Sequence, residues 1–473
     1  MRILVDLCGV GVIAVHFILR DWTAYHLNRV KKRFAAMDAL NEKIREAEQF
    51  RDRYYEYHPG SKFADKSKAV REKVIPLLQD IPLEIRGSSS LSAEHSLLCG
   101  RILNICMEYD PKCEKHLTQA VKLNPYLAEA WKELGECLWK KNDHEAAIDC
   151  FKKSLSRERT AKCMCALSSA LRQHALMTTD KKKRDEMREE AARLCAEAVR
   201  VDSDSGTAWH ALGNSHLTDF FAKGQIDEQI MKNAREAYEK ALTLGDEYLS
   251  ADLHLNYATA LKFDQDYRKC LEHLHIACTR DPEFFDAKER YEGLCIFLAR
   301  LSEAVERKGK LKTKRLLEFQ KSLSQIEPNR SRAISMRLAD GEKRTLKEAD
   351  FGSIREGLNE DVVIVGKVVG VVPNPDAIPF AFVGCDKNGT CLAFTVYNFS
   401  QNFGMIIGDL FSLADPFVID VDVNEIHCGR LSADHRIKFR AVRIQSPHVL
   451  LKNGKRMSLD CVAPCEIAST YTL

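Results

Sequence analysis

Two aspartates, Asp252 and Asp286, carry the clearest binding chemistry in the sequence. They lie 34 residues apart, which is the period of a repeated helical hairpin, so both carboxylates are expected on the same wall of a helical array. Two adjacent carboxylates attract a cation such as a free N-terminal amine or an arginine. Arg172 adds a cation for an acidic residue of the ligand. The alternative, that all three are solvated surface side chains, stays open.

The elements that position these residues are predicted by one stretch of sequence. Gly135 is expected to let a second helix approach the first, with Ala147 and Phe151 filling the gap between them. A hairpin of this kind cannot bury its apolar face alone, so it needs neighbouring repeats. The pattern is that of a tetratricopeptide repeat, with Trp131, Leu134, Gly135, Leu138, Ala147 and Phe151 at the characteristic offsets.

Further repeats are predicted on both sides. The preceding one ends at Ala120–Pro125, and the next closes at Ala191–Ala198 after a loop lengthened by Lys181–Arg184. A fourth restarts at Trp209, and a fifth covers His254–Pro282. The resulting superhelix has a concave groove lined by the first helix of each repeat. Lysines that would clamp an acidic chain end do not align there, so the groove favours a basic ligand.

Composition limits the class of protein. The chain has 473 residues and a net charge of +3, so any affinity for nucleic acid must come from local patches. Its 17 cysteines include only two close pairs, Cys163 with Cys165 and Cys461 with Cys465, and neither has metal-ligand spacing. Buried free thiols in a reducing compartment are therefore favoured over a zinc or redox role. Neither a metal nor a cofactor is predicted.

The N-terminal part divides into an apolar extension, residues 1–27, and a helical cap, residues 28–92. Ile3–Leu19 is short for a bilayer span and is interrupted by Asp6. It is expected to be a non-native extension or a helix packed on the repeats, with a targeting segment as the alternative. No membrane association is predicted. The repeats then occupy residues 93–305.

A dense basic run, Glu306–Arg315, opens a segment predicted to join two domains over residues 306–350. Such runs bind phosphate backbones through counterion release. They also occur as nuclear-import signals or as solvated helix faces, and all three interpretations stay open. Ser322–Arg344 is polar and is expected to be a linker.

In residues 351–473 the spacing of apolar residues changes from a helical pattern to one typical of strands. Short β-branched and aromatic runs alternate with turn signals such as Lys387–Gly389 and Lys452–Gly454. This pattern predicts a small closed barrel of the OB type, which binds nucleic acid in some proteins and protein in others. The predicted strands are Val362–Val369, Phe380–Val383, Leu392–Tyr397, Leu410–Leu413 and Lys438–Ile444.

These features together resemble the tetratricopeptide repeat protein 5 family. The resemblance runs from Gln49 to about Leu451 and leaves residues 1–40 uncovered. It implies a mostly α fold, a tetratricopeptide superhelical solenoid, followed by an all-β OB-type barrel. Its most specific pieces are Ala130–Glu136, Leu212–Ser215, Asp252–Asn256, Lys308–Lys314, Val365–Val369, Val396–Asn398 and Ile407–Asp409.

The resemblance also implies a function in tubulin autoregulation. A member of this family binds at the ribosomal exit tunnel, holds the nascent Met-Arg-Glu N-terminus of α- or β-tubulin in its groove, and recruits an mRNA-decay adaptor. By matching motifs, the peptide-binding residues are Arg172, Asp252 and Asp286, the last replacing a glutamate of the family. The ribosome-facing residues, toward rRNA and exit-tunnel proteins, are Lys122, Lys312 and Lys314.

The family is credited with a second role, which gives the alternative function. In it the chain is a nuclear stress-response scaffold that joins a histone acetyltransferase co-activator to transcription factors on chromatin. Both roles imply a cytoplasmic and nuclear protein. An enzyme is not predicted, because the sequence contains no P-loop, no Rossmann glycine motif, no H-E-x-x-H and no G-x-S-x-G.

Overall fold

The structure is a computed structural model in which the chain divides into two compact units, Met1–Asp204 and Ser205–Leu473. It describes residues 31–86, 92–224, 227–245, 251–283, 287–325, 336–337, 343–344, 346–376, 378–400, 403–424 and 436–463. The predicted extension 1–27 and Asp286 lie outside these residues. Within the described part, no helix has the length and apolar character needed to cross a bilayer.

The first unit is helical throughout its described part. Its later helices form antiparallel pairs, α5 with α6, α7 with α8, and α9 with α10. The helices are α1 (31–52), α2 (Tyr54–Tyr57), α3 (Phe63–Val74), α4 (Leu83–Arg86), α5 (Ser92–Asn104), α6 (Pro111–Leu123), α7 (Ala128–Lys140), α8 (His144–Arg157), α9 (Ala161–Met177) and α10 (Lys181–Val201).

Close helix pairing depends on a small residue in the first helix of a pair. A Cβ atom added to Gly135 would lie 2.7 Å from a ring carbon of Phe151 on α8. Gly213 has the same relation to Tyr238, also at 2.7 Å, and Gly100 lies against Leu117. The predicted role of Gly135 is therefore confirmed, and it recurs along the chain.

The expected long loop within the third repeat is wrong. Lys181–Arg184 forms the first turn of α10, so only Thr178–Asp180 separates α9 from α10. Asp180 is the N-cap of α10, and its side chain accepts hydrogen bonds from the backbone N–H groups of Lys182 and Lys183. A capping carboxylate satisfies orphan donors and offsets the unfavourable cations at this helix end.

The second unit contains the remaining repeats and a β-sheet. Its helices are α11 (Gly206–Ala222), α12 (Glu228–Leu244), α13 (Ala251–Phe263), α14 (Tyr267–Arg280), α15 (Ala287–Glu306) and α16 (Thr313–Ser324). The strands are β1 (Met336–Arg337), β2 (Lys343–Arg344), β3 (Lys347–Ala349), β4 (Gly357–Leu358), β5 (Val362–Val372), β6 (Phe380–Cys385), β7 (Cys391–Val396), β8 (Leu410–Ala414), β9 (Phe417–Val423), β10 (Ile437–Ile444), β11 (Leu450–Lys452) and β12 (Lys455–Arg456).

The main sheet has the strand order β12-β11-β8-β5-β6-β7-β10-β9-β4. Strands β7 and β10 are parallel, and the other neighbours along this path are antiparallel. The path has two ends among the described strands, as in a partly open OB barrel. Strand β9 is absent from the sequence-based strand predictions, although it alternates apolar and acidic residues.

The two faces of this sheet bury different sets of side chains. Phe382, Phe394 and Phe411 fill the inner core, with Phe382 and Phe394 stacked at 4.9 Å between ring centroids. The opposite face presents small residues such as Ala381 and Ala393, and these pack in one cluster with side chains of α13, α14 and α15. The last repeats therefore pack against the outside of the barrel.

Polar contacts reinforce this packing. The Arg443 guanidinium lies 4.8 Å from the ring centroids of both Phe263 and Tyr397, and it donates to the Phe263 carbonyl. Gln265 donates to Thr395 at 2.7 Å. Because an arginine stacks on aromatic faces while it donates hydrogen bonds, Arg443 joins the repeats to the sheet.

The segment between the repeats and the barrel is not simply a linker. Its basic run forms a short 3-10 turn, Lys308–Lys310, which packs on β5 and β6. Helix α16 follows and contacts β5, so the predicted linker Ser322–Arg344 begins inside a helix. The turn brings the basic run onto the sheet because Gly309 has φ +68 and no side chain.

Candidate functional site

Asp252 lies in the first turn of α13, and 43% of its side chain is exposed. Asn256, one turn later, donates to Asp252 Oδ1 at 3.0 Å. His210 Nε2 on α11 lies 3.4 Å from Asp252 Oδ2. Since α11 and α13 are the first helices of adjacent repeats and contact each other, Asp252 lies on the surface that these first helices share.

Asn214 is the centre of the polar network beneath Asp252. Its Oδ1 accepts from Tyr238 Oη at 2.8 Å and from Asn256 Nδ2 at 3.1 Å. Its Nδ2 lies 3.2 Å from His210 Nε2, the same ring nitrogen that approaches Asp252. Through Asn256, the network holds the Asp252 carboxylate in place.

The other predicted peptide-binding residues have different positions. Arg172 lies on α9 in the first unit, and it is half-buried. Its Nε is buried without a hydrogen-bond partner among the described residues. Burial raises the pKa of Cys195, and the Arg172 charge opposes that rise, so the guanidinium lies close to this thiol. Asp286 lies outside the described residues, and its predicted pairing with Asp252 stays a prediction.

The three predicted ribosome-facing lysines are all exposed. Lys122 is in the last turn of α6 in the first unit. Lys312 is the N-cap residue of α16, and Lys314 lies in its first turn. Lys312 and Lys314 therefore project from the start of a helix that packs on the barrel, and the exposed Arg315 follows them.

A histidine pair lies close to this site in sequence and structure. His254 on α13 is buried, and its Nδ1 lies 2.7 Å from Nδ1 of His273 on α14, with the two rings stacked. Burial, His254 and Lys269 lower the pKa of His273 to about 4, and Asp266 opposes that change weakly. The folded protein therefore holds His273 neutral at pH values where an exposed histidine is charged.

We expect the second unit to lose stability as the pH falls from about 6.5 to about 4. In this window the unfolded chain binds a proton at His273 and the folded chain does not, so unfolding is favoured by about 1–2 kcal/mol after allowing for solvent screening. Above this pH range His273 is neutral in both the folded and the unfolded chain, and below it His273 is protonated in both. Urea unfolding at several pH values measures the slope of the free energy of unfolding against pH. His273→Gln should flatten it, while His448→Gln at an exposed position should not.

The polar network was not predicted from the sequence. Asn256 follows Asp252 by four residues, a spacing that places both side chains on one helix face, and this signal was available. His210 and Tyr238 join the network through contacts between different helices, which single-sequence patterns do not indicate.

Comparison with known proteins shows which families the parts of this chain resemble. The profile of the tetratricopeptide repeat matches residues 128–160, and that of the Tetratricopeptide repeat protein 5 OB fold domain matches residues 345–466. A thermophilic TPR protein from Thermus thermophilus aligns with a TM-score of 0.36 and 19% identity, over 43% of this chain and 99% of that one.

Full-length relatives cover almost the entire sequence. Tetratricopeptide repeat protein 5 from Homo sapiens is 34% identical over 92% of this chain and 96% of its own length. The Mus musculus protein of the same name is 34% identical over 89% of this chain and 93% of its own length. The predicted fold class, a mostly α tetratricopeptide solenoid with a C-terminal all-β OB-type barrel, is confirmed by the two profiles and by the helices and strands of the structure. The chain belongs to the tetratricopeptide repeat protein 5 family.

Proposed function

We propose that this protein is a non-enzymatic, ribosome-associated adaptor that binds the nascent Met-Arg-Glu N-terminus of tubulins and triggers decay of the translated mRNA. The observation that supports this most is the half-exposed Asp252 carboxylate, held by Asn256 above the buried Asn214. An anchored carboxylate on the first-helix surface suits a free amine or an arginine, and the proposed peptide carries both.

Arg172 supplies the complementary charge in this proposal. Its half-buried guanidinium has a donor, Nε, that lacks a partner among the described residues. The exposed part of the guanidinium is proposed to donate a charge-assisted hydrogen bond to the glutamate of the peptide. Such pairs discriminate between ligands, because a mismatched residue leaves a buried charge without its partner. Asp286 is proposed to act beside Asp252 on the same cationic group.

We expect Asp252→Asn to weaken binding of a Met-Arg-Glu-Ile peptide at least tenfold, which corresponds to about 1.4 kcal/mol. The amide keeps the size and loses the charge that pairs with the cationic ligand. Fluorescence anisotropy with a C-terminally labelled peptide measures the affinity. Glu289→Gln is the matched control, because it removes an exposed carboxylate from the first turn of α15.

A double-mutant cycle tests the role of Arg172. Arg172→Gln and a Met-Arg-Gln-Ile peptide should each weaken binding, and the two changes together should cost less than their sum. Strict additivity would remove Arg172 from the contact with glutamate. Equal affinity of the Asp252→Asn protein and the wild type would overturn the proposed site.

The ribosome contact is proposed to use the exposed Lys312 and Lys314 at the start of α16, with Lys122 as a further contact. Lysines bind rRNA phosphates with release of counterions, so the affinity should fall steeply with salt. We expect Lys312→Glu with Lys314→Glu to reduce co-sedimentation with polysomes severalfold and to flatten its salt dependence. Lys321→Glu, in the last turn of the same helix, is the control.

The same polysome co-sedimentation experiment distinguishes the ribosomal proposal from the alternative function. In that alternative the protein is a nuclear scaffold between a histone acetyltransferase co-activator and transcription factors. Polysome association that is unchanged by the charge reversal, together with recovery of the protein on chromatin, would contradict the ribosomal proposal and favour the scaffold. Both proposals place the protein in the cytoplasm and the nucleus.

A further inference from the structure

Two cysteines face each other across the hairpin formed by β6 and β7. Cys385 and Cys391 are paired in the strand register. The next pair toward the turn is hydrogen-bonded, because the Asp386 N–H donates to the Thr390 carbonyl at 3.0 Å. Hydrogen-bonded and non-hydrogen-bonded pairs alternate in an antiparallel ladder, so Cys385 and Cys391 form a non-hydrogen-bonded pair.

This register suits a disulfide. Residues of a non-hydrogen-bonded pair have Cα atoms about 4.5 Å apart, and disulfides join Cα atoms about 4.4–6.8 Å apart. Both side chains lie in the cluster on the face of the sheet that packs against the repeats, and Cys385 Sγ donates to the Asp386 carbonyl at 3.4 Å. The strands thus hold the two sulfurs together without any movement of the backbone.

The surroundings favour an ionised sulfur in this pair. The neighbouring Cys391 side chain lowers the pKa of Cys385, and the Lys308 charge acts weakly in the same direction. Burial and Asp386 raise it, and the net shift is downward. A Cβ added to Gly389 at the hairpin turn would lie 3.6 Å from Lys308 Nζ, so the ammonium is at the turn itself. A thiolate next to a lysine is the reactive form of cysteine.

A second cysteine pair in the chain provides a comparison. Cys113 on α6 and Cys137 on α7 also shift each other's pKa, and the Lys140 charge acts on both. Both are fully buried, at 1% exposure. In the hairpin, Cys385 is buried to the same degree, but Cys391 is only partly buried. Only the hairpin pair therefore combines proximity, a neighbouring cation and access for a small oxidant.

We propose that Cys385 and Cys391 form a reversible intramolecular disulfide when the protein meets hydrogen peroxide. When the pair has lost one proton, the remaining proton can lie on either sulfur, although the lowered pKa of Cys385 and the raised pKa of Cys391 favour the Cys385 thiolate. The form with the proton on Cys385 lets the accessible Cys391 thiolate attack one peroxide oxygen, and the O–O bond breaks to give a sulfenic acid and one water after proton uptake. The Cys385 sulfur then attacks the Cys391 sulfur and releases the second water. Two thiols are oxidised by two electrons in total, and one peroxide is reduced to two waters.

The modification changes the environment of the basic run. A disulfide cannot ionise, so oxidation removes the thiolate form of the pair from beside Lys308. It also fixes the hairpin whose turn lies under the Lys308–Lys310 turn and beside the Gln320 side chain of α16. The site is therefore positioned to report oxidant exposure to the surface that begins at Lys308. This inference does not depend on the proposed peptide or ribosome binding.

Mass spectrometry of the full-length protein tests the proposal. Trypsin cleaves after Lys387, between the two cysteines, so a disulfide links peptides 368–387 and 388–430. Fragmentation of the linked pair identifies the bonded sulfurs. After brief exposure to hydrogen peroxide and alkylation of remaining thiols, we expect the Cys385–Cys391 link to form at least tenfold faster than a Cys113–Cys137 link, and dithiothreitol should reverse it.

Two variants complete the test. Cys391→Ser should abolish the link and leave Cys385 alkylated, while Cys278→Ser, which removes a partly buried cysteine without a close thiol partner in the described structure, should leave the link unchanged. The proposal is overturned if wild-type Cys391 accumulates as sulfinic acid while Cys385 stays a thiol. It is also overturned if the buried helical pair oxidises at the same rate.

Discussion

Gly309→Ala is expected to lower the free energy of unfolding of the second unit by about 3–4 kcal/mol. A Cβ at this position would lie 2.1 Å from the carbonyl oxygen of Val369 and 3.0 Å from the Gly370 nitrogen. Both are backbone atoms of β5, so they cannot turn away as a side chain could. Overpacking of this severity costs about 1–3 kcal/mol or more, and the positive φ adds about 1 kcal/mol.

Gly454→Ala is the matched control for backbone strain. Gly454 has φ +77, close to the φ +68 of Gly309, but no atom lies within 4 Å of its added Cβ. Urea unfolding followed by circular dichroism should give a loss of about 1 kcal/mol for Gly454→Ala. Equal losses in the two variants would mean that the contact with β5 contributes nothing. The Gly309 variant should also displace α16 and so weaken polysome association with Lys312 and Lys314 intact.

Gly213→Ala is expected to cost about 2–3 kcal/mol and to impair the candidate peptide site. The added methyl would lie 2.7 Å from Tyr238 Cε1, and this ring is fully buried. Tyr238 also donates to Asn214, the residue that orients Asn256 beneath Asp252. A ring that moves to accommodate the methyl therefore disturbs the network as well as the helix packing.

The control for Gly213→Ala is Gly352→Ala, where an added Cβ meets no atom within 4 Å. Thermal unfolding and peptide anisotropy should be measured on both variants. We expect the control to match the wild type in both assays. If Gly213→Ala lowers stability but leaves the peptide affinity unchanged, the Asn214 network does not position Asp252.

The repeats could be predicted because their signal is local. Gly135 and Phe151 lie within one helical hairpin, and their offset alone indicates that one packs on the other. Most of the barrel could be predicted for the same reason, since β-branched runs between turn signals form strands without reference to distant residues. The fold class therefore follows from patterns shorter than about 34 residues.

The strand and the polar network that the sequence did not predict depend on neighbours distant in sequence. Strand β9 alternates Ile419, Val421 and Val423 with Asp420 and Asp422. The two acids reduce the apolar signal, and only the structure pairs them with Arg440 on β10 and with Arg436, the residue before this strand. In the candidate site, Asn214 contacts Asn256 from 42 residues away. Contacts across repeats of this kind require the three-dimensional arrangement.

The packing of α15 on the outer face of the barrel determines how the second unit denatures. Phe297, Leu298 and Leu301 are buried in the same cluster as Val383 and Ala441 of the sheet. A fragment that ends after α15 would expose this apolar surface to water, and it should aggregate or melt early. The repeats and the barrel of this unit should consequently share a single cooperative melting transition, with no separate calorimetric peak for either one.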